Sequence, residues 1–207
     1  MPPTPLLRRN LQADALARGD LAARCMAIAA ELAALPAPAR RARLIDTRPL
    51  HRHLFGDLAP EVAGLYRGTP GSAVQNAARA VFLARRRPGL RARDPCTEPQ
   101  AVGPAMAALG DRIGALWDHP ARGDAGFDAL AGVTHGFLSI HPYLDGNGHI
   151  YRLMATTLAP RLGLTPRAGF TLHPRPYDHL MSLSLQWFPD HPGLLSAYLR
   201  RWFTDQD

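Results

Sequence analysis

The chain has 207 residues, with 24 basic and 17 acidic side chains and a formal net charge of +7. Every basic residue is arginine, and only Glu31, Glu61 and Glu98 are glutamate. Without lysine there is no phosphate-loop lysine, no kinase strand lysine and no Schiff-base chemistry, so any phosphate must be held by arginine, histidine or backbone N–H groups.

At roughly 150 residues per domain, the length suggests one domain. The arginines are scattered in short groups, such as Arg8–Arg9, Arg85–Arg87 and Arg200–Arg201, within a chain rich in alanine, proline, leucine and glycine. The basic balance therefore reads as composition and a solvated surface, and nucleic acid is not an expected partner. Cys25 and Cys96 stand far apart with no CxxC pair, which indicates neither a zinc knuckle nor a disulfide framework. The opening MPPTPLLRRN has no apolar signal core, and no apolar run approaches the length of a membrane span. The expected setting is the cytoplasm, without membrane contact, and secretion as an effector by another route stays open.

In chain order, Leu21, Cys25, Ile28, Leu32 and Leu35 fall on one face of a helix, opened by Gly19-Asp20 and ended by Pro36. Residues 36–43 read as a connector. A second helix is expected at about 47–56, with Pro49 in its first turn. Residues 68–99 are irregular, with a short hairpin at Ala80–Leu83 and Leu90–Arg93 turning at Pro88-Gly89. Val102, Ala105, Met106, Leu109, Ile113 and Leu116 form the next helical stripe. Asp124 is an expected N-cap for a helix carrying Phe127, Leu130, Ala131, Thr134, Phe137 and Leu138. Ile150, Leu153, Met154, Thr157 and Leu158 give a further apolar face, stopped at Gly163. Asp190 is the expected cap of a last helix with Leu194, Leu195, Tyr198, Leu199 and Trp202. The expected class is all-α, with at most a hairpin.

The segment that carries chemistry is His141-Pro-Tyr-Leu-Asp-Gly-Asn-Gly-His-Ile-Tyr-Arg152. Pro142 disfavours helical geometry at His141, which places His141 at a helix exit. Gly146-Asn147-Gly148 tolerates unusual backbone angles and opens the next helix, whose N-terminus is an anion site. At 100° per residue, Arg152 lies about 300° round from His149, so both are expected on a face turned away from the core beside that anion site. Asp145 stands where a carboxylate holds a divalent cation against phosphate. His141 faces the same place with a side chain suited to general-base work. Together these describe phosphoryl or nucleotidyl transfer. A shared metal on His135, His141, Asp145 and His149 is disfavoured, because the glycines break any single helix through them.

This segment resembles the active-site motif of the Fic family, H-x-F-x-[D/E]-G-N-G-R-x-x-R. His51-Arg-His-Leu-Phe-Gly-Asp through Tyr66-Arg67 is similar to the helix pair that precedes the family's flap, and Phe137-Leu-Ser-Ile-His141 fits the lead-in. The likeness covers about residues 48–67 and 98–165. It implies a Fic-type helical domain with a short β-hairpin flap: residues 1–46 an N-terminal helical extension, 47–165 the core, and 166–207 C-terminal helices. It implies that His141 deprotonates a Ser, Thr or Tyr hydroxyl of a target protein. Asp145 would bind Mg²⁺, while Gly146, Asn147 and Gly148 would form the anion hole around the phosphates of ATP. Arg152 would hold the outer phosphate. Tyr143 stands where the family prefers phenylalanine, and its hydroxyl needs a partner.

The departure is His149, at the motif's first arginine. Histidine offers fewer donors than arginine and a pH-dependent charge. Three readings follow: an AMPylation-type protein nucleotidyltransferase with a re-tuned phosphate site, a transferase of another phosphorylated group, or a catalytically weakened interaction module. Many family members carry an inhibitory helix, [S/T]-x-x-x-E-[G/N]. None of the three glutamates matches it, so control is expected from a separate antitoxin-like inhibitor, from another mechanism, or not at all. His51, His53, His119, His173, His179 and His191 belong to no motif and read as surface or packing residues.

Overall fold

The structure, a computed structural model, describes residues 20–77, 96–174 and 193–206. The expected hairpin near Pro88-Gly89, the basic run at Arg85–Arg87 and the cap at Asp190 lie outside these residues. Among the described residues the fold is helical, with one short two-stranded ladder.

Helix α1 (Leu21–Ala34) buries Leu21, Cys25, Ile28 and Leu32, the stripe expected from periodicity. Asp20 occupies the N-cap position, but its carboxylate turns to Arg24 at 2.6 Å rather than to the backbone. Residues 36–43 are not a connector. They lie in helix α2 (Ala37–Ile45), which starts after Pro36 and buries only Leu44. Proline suits a helix start, and alanine and arginine are good helix formers, so one buried leucine is enough to dock it. Arg40 ties α2 back by donating to the carbonyls of Ala33 and Leu35, both at 2.9 Å. Helix α3 (Arg48–Phe55) has Pro49 in its first turn and buries Leu50, His51, Leu54 and Phe55.

Helix α4 (Pro99–Asp118) packs on α2 and on α5 (Gly123–Ile140). Asp124 is not the N-cap of α5: Arg122 is, and Asp124 sits in the first turn, paired with Arg200 at 2.6 Å. The helix starts two residues earlier than expected, at Gly123, where the chain turns at φ +55°. A carboxylate in the first turn still favours the helix dipole.

Helix α6 (Asn147–Leu158) is the central element and packs on α1, α2 and α5. Its apolar side chains Ile150, Leu153, Met154 and Leu158 are buried as expected. Fully burying each is worth roughly 1.5–3 kcal/mol. A single 3₁₀ turn (Ala159–Leu162) follows, stopped by Gly163 in the left-handed region at φ +76°. Strand β1 (Leu164–Pro166) then pairs antiparallel with β2 (Phe203–Asp205), which directly follows α7 (Gly193–Trp202). Leu164 faces Asp205 and Pro166 faces Phe203. This ladder joins distant parts of the chain and is not the expected hairpin. Cys25 and Cys96 are both buried, and neither is in a disulfide. No described helix is long and apolar enough to cross a membrane.

Candidate active site

The turn between α5 and α6 assembles the predicted residues. Helix α5 ends at Ile140, and His141 follows in the left-handed region at φ 53°, ψ 59°. It is the one non-glycine residue with positive φ among those described. Such a conformation costs about 1–3 kcal/mol and persists only where neighbours over-determine it.

Several contacts do so. The Asn147 side chain bridges both backbone groups of Tyr143: the Tyr143 N–H donates to Oδ1 and Nδ2 donates to the Tyr143 carbonyl, each at 2.9 Å. The Gly146 N–H donates to Asp145 Oδ1 at 2.7 Å. Gly146 sits at φ +77°, where a Cβ would meet the Phe55 ring at 2.3 Å. Both facts require glycine there. Gly146 caps α6, so the N–H groups of Asn147 and Gly148 have no intrahelical acceptor. An added Cβ on Gly148 would lie 3.4 Å from an Arg152 guanidinium nitrogen, which places that cation beside the first turn of α6.

Two buried aromatic partners hold the loop from below. Gly64 N–H donates to His51 Nδ1 at 3.0 Å, so Nε2 carries the proton and donates to the Asp145 carbonyl at 3.1 Å. Burial pushes the His51 imidazole down to about 4, against the opposing pull of the Asp145 carbonyl. His51 stacks on Tyr143 with centroids 3.9 Å apart. The Tyr143 hydroxyl finds its partner in Thr47 Oγ1 at 2.6 Å. Burial raises the phenol well above its usual value.

His149 and Arg152 share a face, as expected, but that face is not turned to solvent. His149 is 2% and Arg152 3% exposed. Residues Leu172 and His173, beyond β1, cover them. Arg152 Nε donates to the Leu172 carbonyl at 2.8 Å, and His149 Nε2 lies 3.2 Å from His173 Nδ1. His149 Nδ1 is buried without a hydrogen-bond partner. Burial, then the charges of Arg152 and His173, push His149 down to about 3, so it is neutral at physiological pH.

His51, Arg67 and the Leu172-His173 pair escaped the sequence reading as site residues. His51 and Arg67 lay within the segment before the flap, which was their signal. Leu172 and His173 had none. Arg67 is 1% exposed and bonds to the helix exit. Glu31, Glu61 and Glu98 are all exposed, and Glu31 stands 3.4 Å from His53.

Solved structures share this architecture. The N-terminal Fic domain of a VirB-translocated Bep effector protein of Bartonella quintana, with bound ADP, superposes with a TM-score of 0.68 at 18% identity, over 92% of this chain and 86% of that one. A second structure of such a domain from Bartonella quintana gives 0.58 at 16% identity, covering 90% and 84%. The BepC protein of Bartonella tribocorum, with bound AMPPNP, gives 0.57 at 17% identity, covering 91% and 89%. No curated protein matches the chain in sequence. The sequence model of the Fic/DOC family matches residues 44–159, the stretch from the end of α2 to the end of α6 that builds the loop described above, and the chain belongs to the Fic/DOC family.

Proposed function

We propose that this protein is a nucleotidyltransferase that moves a nucleoside monophosphate from ATP to a Ser, Thr or Tyr hydroxyl of a target protein. One observation carries the reading. A single locked turn sets His141 at the exit of α5, Asp145 ahead of the next helix, and the Arg152 guanidinium beside the N-terminus of that helix. Base, cation ligand and anion site thus converge. That the effector domains above bind ADP and AMPPNP supports a nucleotide as donor.

The chemistry follows from the residues. His141 takes the hydroxyl proton as the oxygen attacks the α-phosphorus. An O–P bond to the target forms, and the bond to the pyrophosphate leaving group breaks. The N–H groups of Asn147 and Gly148, with the helix dipole, receive the charge of the phosphates. Arg152 supplies the fixed cation. Asp145 is a hard oxygen donor whose Oδ1 is oriented by the Gly146 N–H. One such carboxylate plus phosphate oxygens is a donor set that fits Mg²⁺. When bound, Mg²⁺ neutralises phosphate charge.

The neutral, covered His149 favours a second reading, in which the donor is another phosphorylated group with less charge beyond the scissile bond. Control by a separate inhibitor chain belongs to the same proposal, since none of the three glutamates fits the inhibitory pattern. Incubation with labelled ATP and Mg²⁺, followed by mass spectrometry of the chain and of lysate proteins, tests both. Label of one AMP that disappears with His141→Ala supports the first reading. Label only from a different phosphorylated donor supports the second. No label from any donor leaves a non-catalytic interaction module.

A further inference from the structure

We propose that Arg67 is a positioning residue that sets the direction of the His141 side chain; this rests on the reading of His141 as the base. Arg67 is 1% exposed, yet its guanidinium is paired on every side the geometry resolves. Nε donates to the His141 carbonyl at 2.8 Å, and one Nη2 proton goes to the Ile140 carbonyl at 2.9 Å. The backbone N–H of Arg67 donates to the Pro142 carbonyl at 2.8 Å. One residue thus holds three consecutive carbonyls at the helix exit. Two of them belong to the end of α5, where helical acceptors have no partner within the helix.

The remaining bonds reach elsewhere. Nη1 donates to the Ala77 carbonyl at 3.0 Å and Nη2 to the Thr97 carbonyl at 2.8 Å, residues that flank positions 78–96. The planar fork of arginine holds these acceptors in fixed relative directions. Because the Cα–Cβ direction of His141 follows from its φ and ψ, a guanidinium clamped to the carbonyls on both sides of that residue fixes where the imidazole points. Lysine cannot replace it: one ammonium has no fork.

The test is Arg67→Lys, with three readouts per folded molecule. We expect kcat for transfer to fall about tenfold to a hundredfold, with KM for ATP changed by less than about twofold, as misplacement of a reacting group predicts. We also expect the His141 imidazole NMR resonance, and the pH profile of kcat, to shift. If kcat, pH profile and resonance all match the wild type, Arg67 only stabilises the fold and the proposal is overturned. The resonance does not depend on turnover, so if the wild type transfers nothing, the transferase reading fails while Arg67 is still decided. If Arg67→Lys does not fold, hydrogen exchange on the wild type decides. Exchange of the Arg67 Nε proton at the rate of the His141 amide supports the clamp; exchange at the rate of a free arginine overturns it.

Discussion

The imidazoles of His149 and His173 meet at 3.2 Å, Nε2 to Nδ1, at the motif position where the family carries an arginine. The contact is neutral and part-buried, and His149 stands edge-on to Phe55 at 6.4 Å; burial first, and then the charge of Arg152, depresses both histidines. A site that would otherwise present two cations presents one.

His149→Arg places a second guanidinium in this covered space next to Arg152. We expect stability to fall by about 3 kcal/mol or more, as for an uncompensated charge buried in a packed site. Transfer per folded molecule should be retained or raised. Added ATP and Mg²⁺ should raise the urea midpoint more in the variant than in the wild type, because the ligand binds only the folded state. A variant as stable as the wild type would contradict the packing. Loss of transfer would give His149 its own role.

Stability should fall on acidification from about pH 6.5. His51 and His149 have folded values of about 4 and about 3, below the ordinary 6.5. Between those values the unfolded chain binds more protons, so stability rises with pH. The stability is fully present above about pH 6.5 and is lost as pH falls through the folded values. At about 1.4 kcal/mol per unit, His51 accounts for on the order of 3 kcal/mol. Urea midpoints from pH 7.5 to 4 measure it. His51→Gln should flatten the slope by about one proton; an unchanged slope would show that His51 does not titrate in this range.

Tyr143→Phe restores the family's preferred ring but strands a hydroxyl. Thr47 is fully buried and meets the Tyr143 hydroxyl at 2.6 Å, with Tyr66 more distant at 3.5 Å. Leaving Thr47 unpaired should cost about 1–3 kcal/mol in urea denaturation. Thr47→Val added to Tyr143→Phe should recover most of that loss, since it removes both members of the buried pair and leaves only the half-buried Tyr66 hydroxyl to find water. If the double variant is no more stable than Tyr143→Phe, the hydroxyl pair does not carry the effect.

Gly146→Ala combines a φ of +77° with a Cβ placed 2.3 Å from the Phe55 ring. We expect a loss of more than about 2 kcal/mol and of nucleotide binding, read by thermal denaturation and by titration with a fluorescent ATP analogue. Phe55→Leu in the same chain should recover part of the stability, because it removes the clash but not the strained backbone. Nucleotide binding at wild-type affinity in Gly146→Ala would remove the loop from the anion site.

The motif from His141 to Arg152 was legible because its logic is local. Pro142 ends a helix, the glycines turn the chain, and the next helix begins there, all through interactions within a few residues. The stripes of α1, α4 and α5 were legible for the same reason: helical phase is set by spacing alone. Where the reading failed locally, as at residues 36–43, the signal was weak because one buried leucine, Leu44, anchors the helix.

Spacing fixed the phase of His149 and Arg152 on α6 but not what lies against that phase. The segment bearing Leu172 and His173, which follows the β1–β2 ladder, covers them. Arg67 reaches His141 across 74 positions, and Thr47 reaches Tyr143 across 96. Partners at such separations leave no periodic trace, since they are selected by packing in three dimensions. By itself, then, the sequence determined the helical class, the family and the locked turn. The tertiary structure decided that His149 is neutral and covered, and that Arg67, distant in sequence, holds the turn.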